Sequence, residues 1–380
     1  MELIIRGFDR RITMRIAMIG SRGIPVTYSG VETHLAELCP RLARMGHHVV
    51  VYGKADIDYR GTVYQGVHLR RVPAIPTKHL ETLSRTFVST CKELVSESDI
   101  VHFHCLGPSV FAFLPRVFSK KTVVTVHGLD WQRAKWGHFA TSCLKLGEWT
   151  SAHLPDATIC VSHVLKSYYD QKYGISAWYV PNGVNIPARL LSKDIKAFGL
   201  NRKEYILFLS RLVPEKGCEY LIRAFNQIDT CMKLVIAGGP GHTEGYVHKL
   251  KTLASINDRI IFTGFVSGNT LGELFSNAYL YVLPSEIEGL PISLLEALGY
   301  GICVVTSDIP ENLEISQHYG FSFKNRDVSD LKRVLEELLA DRRLVEEMGK
   351  LGRERIQREY SWDRIAKQTE NVYQRVIDTT

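Results

Sequence analysis

The feature that most constrains this chain is a repeated alternation of short, continuously apolar runs with longer amphipathic stretches. Runs at 15–19, 48–52, 67–72, 100–104, 122–126, 157–161 and 178–180 predict strands, and helical spacing over 31–45, 82–95 and 142–151 lies between them. After Pro181-Asn182-Gly183-Val184-Asn185 the alternation starts again, with strands expected at 205–209, 233–237, 260–262, 280–283 and 302–306. Strands that are apolar throughout must be covered on both faces, as in a parallel sheet flanked by helices. Two such series predict an α/β protein of two doubly wound, Rossmann-like domains facing each other across a cleft. The Pro-Asn-Gly loop suits the crossing between them. From Tyr360-Ser361-Trp362 a last helix is expected, with Ser361 as its cap. Its apolar positions Ile365, Ala366, Val372, Tyr373 and Val376 suit packing on either domain.

A chain of 380 residues is comfortable for two domains. No run approaches the roughly 18 apolar residues needed to span a bilayer. The opening segment is broken by Arg6, Asp9, Arg10 and Arg11, which argues against a signal peptide; residues 1–13 read as a start-site extension or a surface tail. Eight cysteines without a Cys-x-x-Cys pair fit reduced core thiols and a cytoplasmic setting. The net charge of +7 is uneven: residues 1–182 hold 22 Lys+Arg against 14 Asp+Glu, the remainder 25 against 26. The basic first half suggests an anionic partner, such as a membrane surface, a lipid diphosphate or nucleic acid, unless it is simply a soluble surface. No helix-turn-helix, finger or RNA-binding pattern accompanies the charge, so nucleic acid is not expected.

The segment Ser285-Glu286-Ile287-Glu288-Gly289-Leu290-Pro291-Ile292-Ser293-Leu294-Leu295-Glu296 includes the carboxylates Glu288 and Glu296 with seven residues between them. Pro291 is expected in the first turn of a helix over 292–298, with Glu288 in the preceding loop. The helix start between the acids favours phosphate. Two acids that grip hydroxyls around an anion site suit a nucleotide-diphosphate sugar. The pair alone also suits a hydrolase or exposed helix charges. Ser210-Arg211-Leu212-Val213-Pro214-Glu215-Lys216-Gly217 follows a strand. There Arg211 can fork onto phosphate oxygens and Lys216 can add a point charge, unless this is a solvated turn.

In the first half, Gly20-Ser21-Arg22-Gly23-Ile24-Pro25 follows the first strand, and Tyr28-Ser29-Gly30-Val31-Glu32-Thr33-His34 opens the next helix. This is neither a dinucleotide fingerprint nor a P-loop. Its glycines permit close approach of backbone to a ligand. His127, at the end of Val124-Thr125-Val126, is placed to bond a sugar hydroxyl or move a proton, or is a core histidine. Trp131, Arg133, Lys135 and Trp136 suit sugar stacking or an interfacial contact, and equally an ordinary surface. His102-Phe103-His104 lacks partners at ligand spacing, so no metal is expected there. Asp56-Ile57-Asp58 reads as a charged surface loop.

From residue 14 onward the chain resembles the retaining family-4 glycosyltransferases of GT-B architecture. The resemblance rests on Glu288 to Glu296 and on Ser210-Arg211 to Lys216-Gly217. The start, Ile19 to Pro25 with Gly30-Val31-Glu32-Thr33, together with His127 to Arg133, is similar to rhamnosyltransferases of bacterial surface polysaccharides. The resemblance implies an acceptor-binding domain over 1–183 plus 361–380, with the terminal helix crossing back to it, and a donor-binding domain over 184–360. It implies that Arg211 and Lys216 hold the donor diphosphate, with Gly23 near it. Glu288, Gly289 and Leu290 would meet the transferred sugar, Glu296 the ribose, Phe265 and Val266 the base. His127 is then the cleft histidine, and Trp131, Arg133 and Lys135 are acceptor-side candidates. Catalysis would rest on Glu288, His127, Arg211 and Lys216, with same-face attack, no metal and no cofactor, the nucleotide sugar being a substrate. The expected reaction is hexosyl transfer from a donor such as dTDP-rhamnose or a UDP-sugar. The acceptor is a glycan or lipid-linked molecule met at the inner face of the membrane. The alternatives are a nucleotide-sugar epimerase of this architecture and a silent sugar-nucleotide-binding subunit.

Overall fold

The structure, a computed structural model, describes residues 13–25, 29–55, 59–77, 80–133, 137–186, 188–240 and 244–379. The readings made above for residues 1–12, Tyr28, the Asp56-Ile57-Asp58 loop, Lys135 and Trp136 lie outside the described residues. The chain separates into two compact units. One comprises residues 1–126, 143–159 and 366–380, the other residues 127–142 and 160–365. Against the expected 1–183 plus 361–380 and 184–360, residues 127–142, 160–183 and 361–365 group here with the second unit.

The first sheet runs through β1 (Arg15–Ile19), β2 (His48–Lys54), β3 (Val63–Tyr64), β4 (Val67–Val72), β5 (Ile100–His104), β6 (Lys121–Val126), β7 (Ala157–Cys160) and β8 (Trp178–Tyr179). Their order is β3-β4-β2-β1-β5-β6-β7-β8. β1 pairs in parallel with β2 on one side and β5 on the other, while β3 is antiparallel to β4. Every residue of β5 is buried, as expected of a strand covered on both faces. Helix Gly30–Arg44 buries Leu35, Leu38, Cys39 and Leu42, a three-to-four spacing on one stripe. Helix Trp362–Asp378 places its last residues, from 366, in this unit and buries Val372 and Tyr373. Arg364 N–H donates to Ser361 Oγ at 3.4 Å, so the predicted cap is present as a long contact.

The second sheet is parallel throughout: β9 (Tyr205–Leu209), β10 (Lys233–Ala237), β11 (Ile260–Gly264), β12 (Leu280–Leu283), β13 (Cys303–Ser307) and β14 (Phe321–Phe323). The order is β11-β10-β9-β12-β13-β14. Its core packs Ile206, Phe208, Ile236 and Val282 of the sheet with Leu221, Phe225, Leu331 and Leu335 of the helices. All eight cysteines are free thiols, and burial pushes those of Cys160 and Cys303 up to about 12. Among the described residues no helix is long and apolar enough to cross a membrane.

Candidate active site

The chain of the second unit leaves β9 for β10 and β11 on one side, then reverses to β12 on the other. β9 and β12 are therefore neighbours at the switch point, where doubly wound sheets bind ligands beyond the strand ends. Both candidate loops spring from that point. After β9, Pro214–Lys216 forms a short 3-10 turn ended by Gly217 at φ +66°. A Cβ on Gly217 would stand 1.9 Å from the Pro284 carbonyl oxygen, so only glycine lets the two loops touch. Glu286 N–H donates to Glu215 O at 2.9 Å and ties them again. On the other side, Leu212 N–H donates to Gly239 O at 3.0 Å.

This stitching brings together residues far apart in sequence. Lys216 Nζ forms a direct ion pair with Glu288 Oε1, and their side chains are only 13% and 7% exposed. Burial lowers the Lys216 pKa, and Glu288 opposes that shift by charge and hydrogen bond. Arg211 is lowered too, first by burial and then by Arg133, while Glu215, Glu288 and Asp130 act against it. Arg133 is itself paired with Asp130 at 3.2 Å. Arg211, Lys216 and Arg133 thus share one field with three carboxylates, a cluster whose buried cations can meet an incoming anion.

Gly289 and Leu290 follow Glu288 and are buried. A Cβ on Gly289 would come within 1.8 Å of the His127 carbonyl oxygen, so His127 and Gly289 meet through backbone. The half-buried His127 and Trp131 belong to this same unit. Pro291 does not occupy the first helical turn as expected. It precedes the helix Ile292–Gly299 at ψ 113°, and its carbonyl accepts the first bonds, from Leu294 and Leu295. Glu296 lies inside that helix, half-buried, and its charge raises the Tyr281 and Tyr300 pKa values after burial has done so. Phe265 is 59% exposed beside Val266 in the loop after β11, two strands from β9.

Gly23 lies in the first unit, buried at φ +108° in the loop after β1, its N–H bonded to Ser21 Oγ at 3.0 Å. His102 is a core residue: Nδ1 lies 2.6 Å from Tyr373 Oη and Nε2 2.7 Å from Thr125 Oγ1. Both its ring nitrogens are occupied by protein. Lys135 lies outside the described residues.

Several site residues escaped the sequence reading. Asn182, read only as a turn former, donates from Nδ2 to Leu290 O at 2.8 Å and so holds the Gly289–Leu290 loop. Glu215 is buried, and its Oε1 has no hydrogen-bond partner among the described residues. Its place between Pro214 and Lys216 was the available signal. Glu286 accepts from Tyr220 at 2.7 Å and Arg326 at 2.6 Å, contacts no local pattern announces.

With this geometry in hand, comparison with known proteins assigns the class. The domain described as "Glycosyltransferase Family 4" matches residues 28–187, and "Glycosyl transferases group 1" matches residues 192–355. An uncharacterized glycosyltransferase of Methanocaldococcus jannaschii is 28% identical, with 95% of this chain and 98% of that protein covered. A GDP-mannose-dependent alpha-(1-6)-phosphatidylinositol monomannoside mannosyltransferase of Mycobacterium tuberculosis is 26% identical, over 93% of this chain and 96% of that one. Among solved structures, sucrose-phosphate synthase from Thermosynechococcus elongatus superposes with a TM-score of 0.82 at 21% identity, over 97% of this chain and 100% of that one. HepE of Anabaena in complex with UDP-glucose gives 0.80 at 17% identity, with 97% and 100% covered. The two doubly wound sheets are those of a GT-B enzyme. The chain is a glycosyltransferase, its first half matching the family-4 domain and its second half the group-1 domain.

Proposed function

We propose that this glycosyltransferase moves a hexosyl group, with retention, from a nucleotide-diphosphate sugar to a glycan or lipid-linked acceptor in surface polysaccharide synthesis. The donor is dTDP-rhamnose or a UDP-sugar. The enzyme works in the cytoplasm with peripheral contact to the inner membrane face. One observation carries the reading: the buried Lys216–Glu288 pair, with Arg211 in the same field, on the two loops of the switch point. The UDP-glucose bound by the Anabaena protein and the lipid acceptor named for the mycobacterial relative support donor and acceptor classes.

In this proposal the donor's sugar–oxygen bond to the diphosphate breaks as the acceptor oxygen bonds to the same face of the sugar. The acceptor proton passes to a diphosphate oxygen. Arg211, Lys216 and the start of helix Ile292–Gly299 meet the negative charge that builds on the leaving group. Glu288 holds Lys216 charged and in place before the donor arrives. Glu288, with the N–H groups of Gly289 and Leu290, orients the sugar. Glu296 accepts the ribose hydroxyls, and Phe265 with Val266 borders the base. Gly23 is assigned to the diphosphate, and His127 to the sugar. Trp131, Arg133 and Lys135 serve the acceptor. Fixed cations supply the positive charge, without a metal or other cofactor.

Thermal shift against UDP, dTDP, GDP and ADP identifies the base, because a ligand that binds only the folded chain raises its melting temperature. The sugar nucleotide of that base is then incubated with acceptor, and the product's anomeric configuration is read by NMR. One stabilising nucleotide and a product with the donor's configuration are expected. Absence of stabilisation by all four, an inverted product, or steady isomerisation of donor without acceptor overturns the reading.

A further inference from the structure

The loop after β6 lies against the loop that carries Glu288. A Cβ on Gly289 would stand 1.8 Å from the His127 carbonyl oxygen, and one on Gly128 would stand 3.6 Å from Gly289 Cα and 3.9 Å from Glu288 O. Backbone therefore meets backbone here, and this contact sets the course of the residues that follow. They form a 3-10 turn, Asp130–Gln132, closed by Arg133 N–H donating to Asp130 O at 3.2 Å. Three residues apart on that turn, Asp130 Oδ1 and Arg133 Nε pair at 3.2 Å, the side chains 24% and 22% exposed. All of these residues belong to the unit that holds Arg211 and Lys216.

The turn delivers a third cation to a place that already has two. Burial lowers the pKa of Arg211 and of Lys216, and after burial the charge that lowers each most is that of Arg133. Every cation has an acid near it. Lys216 pairs with Glu288 and Arg133 with Asp130, while Glu215 is the first charge to oppose the lowering at Arg211. Glu311 adds a further carboxyl near Glu288. The two direct pairs differ in one respect. Lys216–Glu288 is nearly closed to solvent, whereas water reaches both members of Asp130–Arg133, and an ion pair open to solvent is weakly held. Arg133 can therefore change partner, and its planar fork matches two phosphate oxygens.

We infer that Arg133 is a third cation for the donor's diphosphate, and that Asp130 occupies it until the donor arrives. The inference rests on the nucleotide-diphosphate reading above and adds a phosphate-binding residue to it. Arg133 exchanges the Asp130 carboxylate for phosphate oxygens, and Asp130 is left to the solvent that already reaches it. The guanidinium then meets part of the charge that builds on the leaving group. The acceptor hydroxyl approaches the same leaving oxygen, so a cation there also stands beside the acceptor, the role given to Arg133 above.

The test is binding of UDP, dTDP, GDP and ADP, and of the four matching monophosphates, to the full chain by titration calorimetry, with neither sugar nor acceptor present. For the diphosphate that binds the parent, Arg133→Gln is expected to raise Kd about tenfold, the loss of one charge-assisted contact. Arg133→Lys, which keeps the charge, should raise it less. The matching monophosphate lacks the leaving phosphate and should bind parent and Arg133→Gln alike. Asp130→Asn is expected to lower the diphosphate Kd by roughly threefold, because it releases Arg133 from a partly exposed pair. The double variant should bind as Arg133→Gln does. An equal diphosphate Kd for parent and Arg133→Gln overturns the third cation, and a raised acceptor KM beside it would leave Arg133 to the acceptor alone. An equal loss for the monophosphate overturns it too. A Kd raised by Asp130→Asn as far as by Arg133→Gln would mean that the pair only shapes the loop, and overturns the exchange. If none of the four diphosphates binds the parent, the donor reading falls and this inference falls with it.

Discussion

Tyr373 Oη lies 2.6 Å from Nδ1 of His102, two fully buried side chains 271 residues apart. The hydrogen bond pins the terminal helix to the central strand β5. Tyr373→Phe removes one polar partner and leaves a buried imidazole nitrogen unsatisfied, a loss of about 1–3 kcal/mol. Urea unfolding checks it, and an unchanged midpoint would show that the contact contributes nothing.

Burial, with the nearby His34, holds the His102 pKa down to about 3, against an ordinary value of 6.5. Between these values the unfolded chain binds the proton and the folded chain does not. The stability contributed is present above pH 6.5 and is lost as pH falls toward 3. His102→Gln should therefore flatten the acid limb of the stability profile relative to the parent; parallel limbs would refute it.

Lys216→Ala removes a charge-stabilising donor and leaves Glu288 buried without its partner. Turnover should fall by roughly 10²–10³-fold, as for loss of one donor at a developing anion. Stability should fall as well, by about 3–5 kcal/mol. Arg211→Ala should show a similar kinetic loss. Steady-state assays with the identified donor decide the matter, and undiminished transfer in both variants would remove the diphosphate assignment.

Gly217→Ala is expected to cost about 2–4 kcal/mol, since it adds left-handed strain to a collision with Pro284 O. Thermal unfolding reads this directly. A variant as stable as the parent would mean that the two loops do not touch here.

Lys203 donates to Ala278 O at 2.7 Å, and its pKa is pushed down to about 8, by burial first and then by Arg189 and Arg202. From pH 8 to its ordinary 10.5 the unfolded chain holds the extra proton, so stability from this group rises with pH across that window. The stability of the parent relative to Lys203→Met should grow from pH 8 upward. A difference that stays flat or shrinks would overturn it.

The alternation of elements was legible because apolar runs as continuous as Tyr205–Leu209 have few other uses. β3 and β14, two and three residues long, give no periodicity to read. The cations and acids of the candidate site could be singled out as types: Arg211, Lys216 and Glu288 precede helices, and Glu296 lies inside one. The pairing of Lys216 with Glu288 could not, because it depends on β9 and β12 being neighbours across 72 residues of chain. Pro291 was misplaced by one position because its fixed φ suits both the first helical turn and the residue before it.

The first unit is assembled from three separate stretches, the last of them beginning at residue 366. His102 waits for Tyr373, and His47, whose Nε2 lies 3.0 Å from Glu370, waits across 323 residues. During synthesis, then, the opening sheet emerges long before its final helix, while the second unit can close first. Until Glu370 and Tyr373 have been made, His47 and His102 lack these partners in a largely apolar interior.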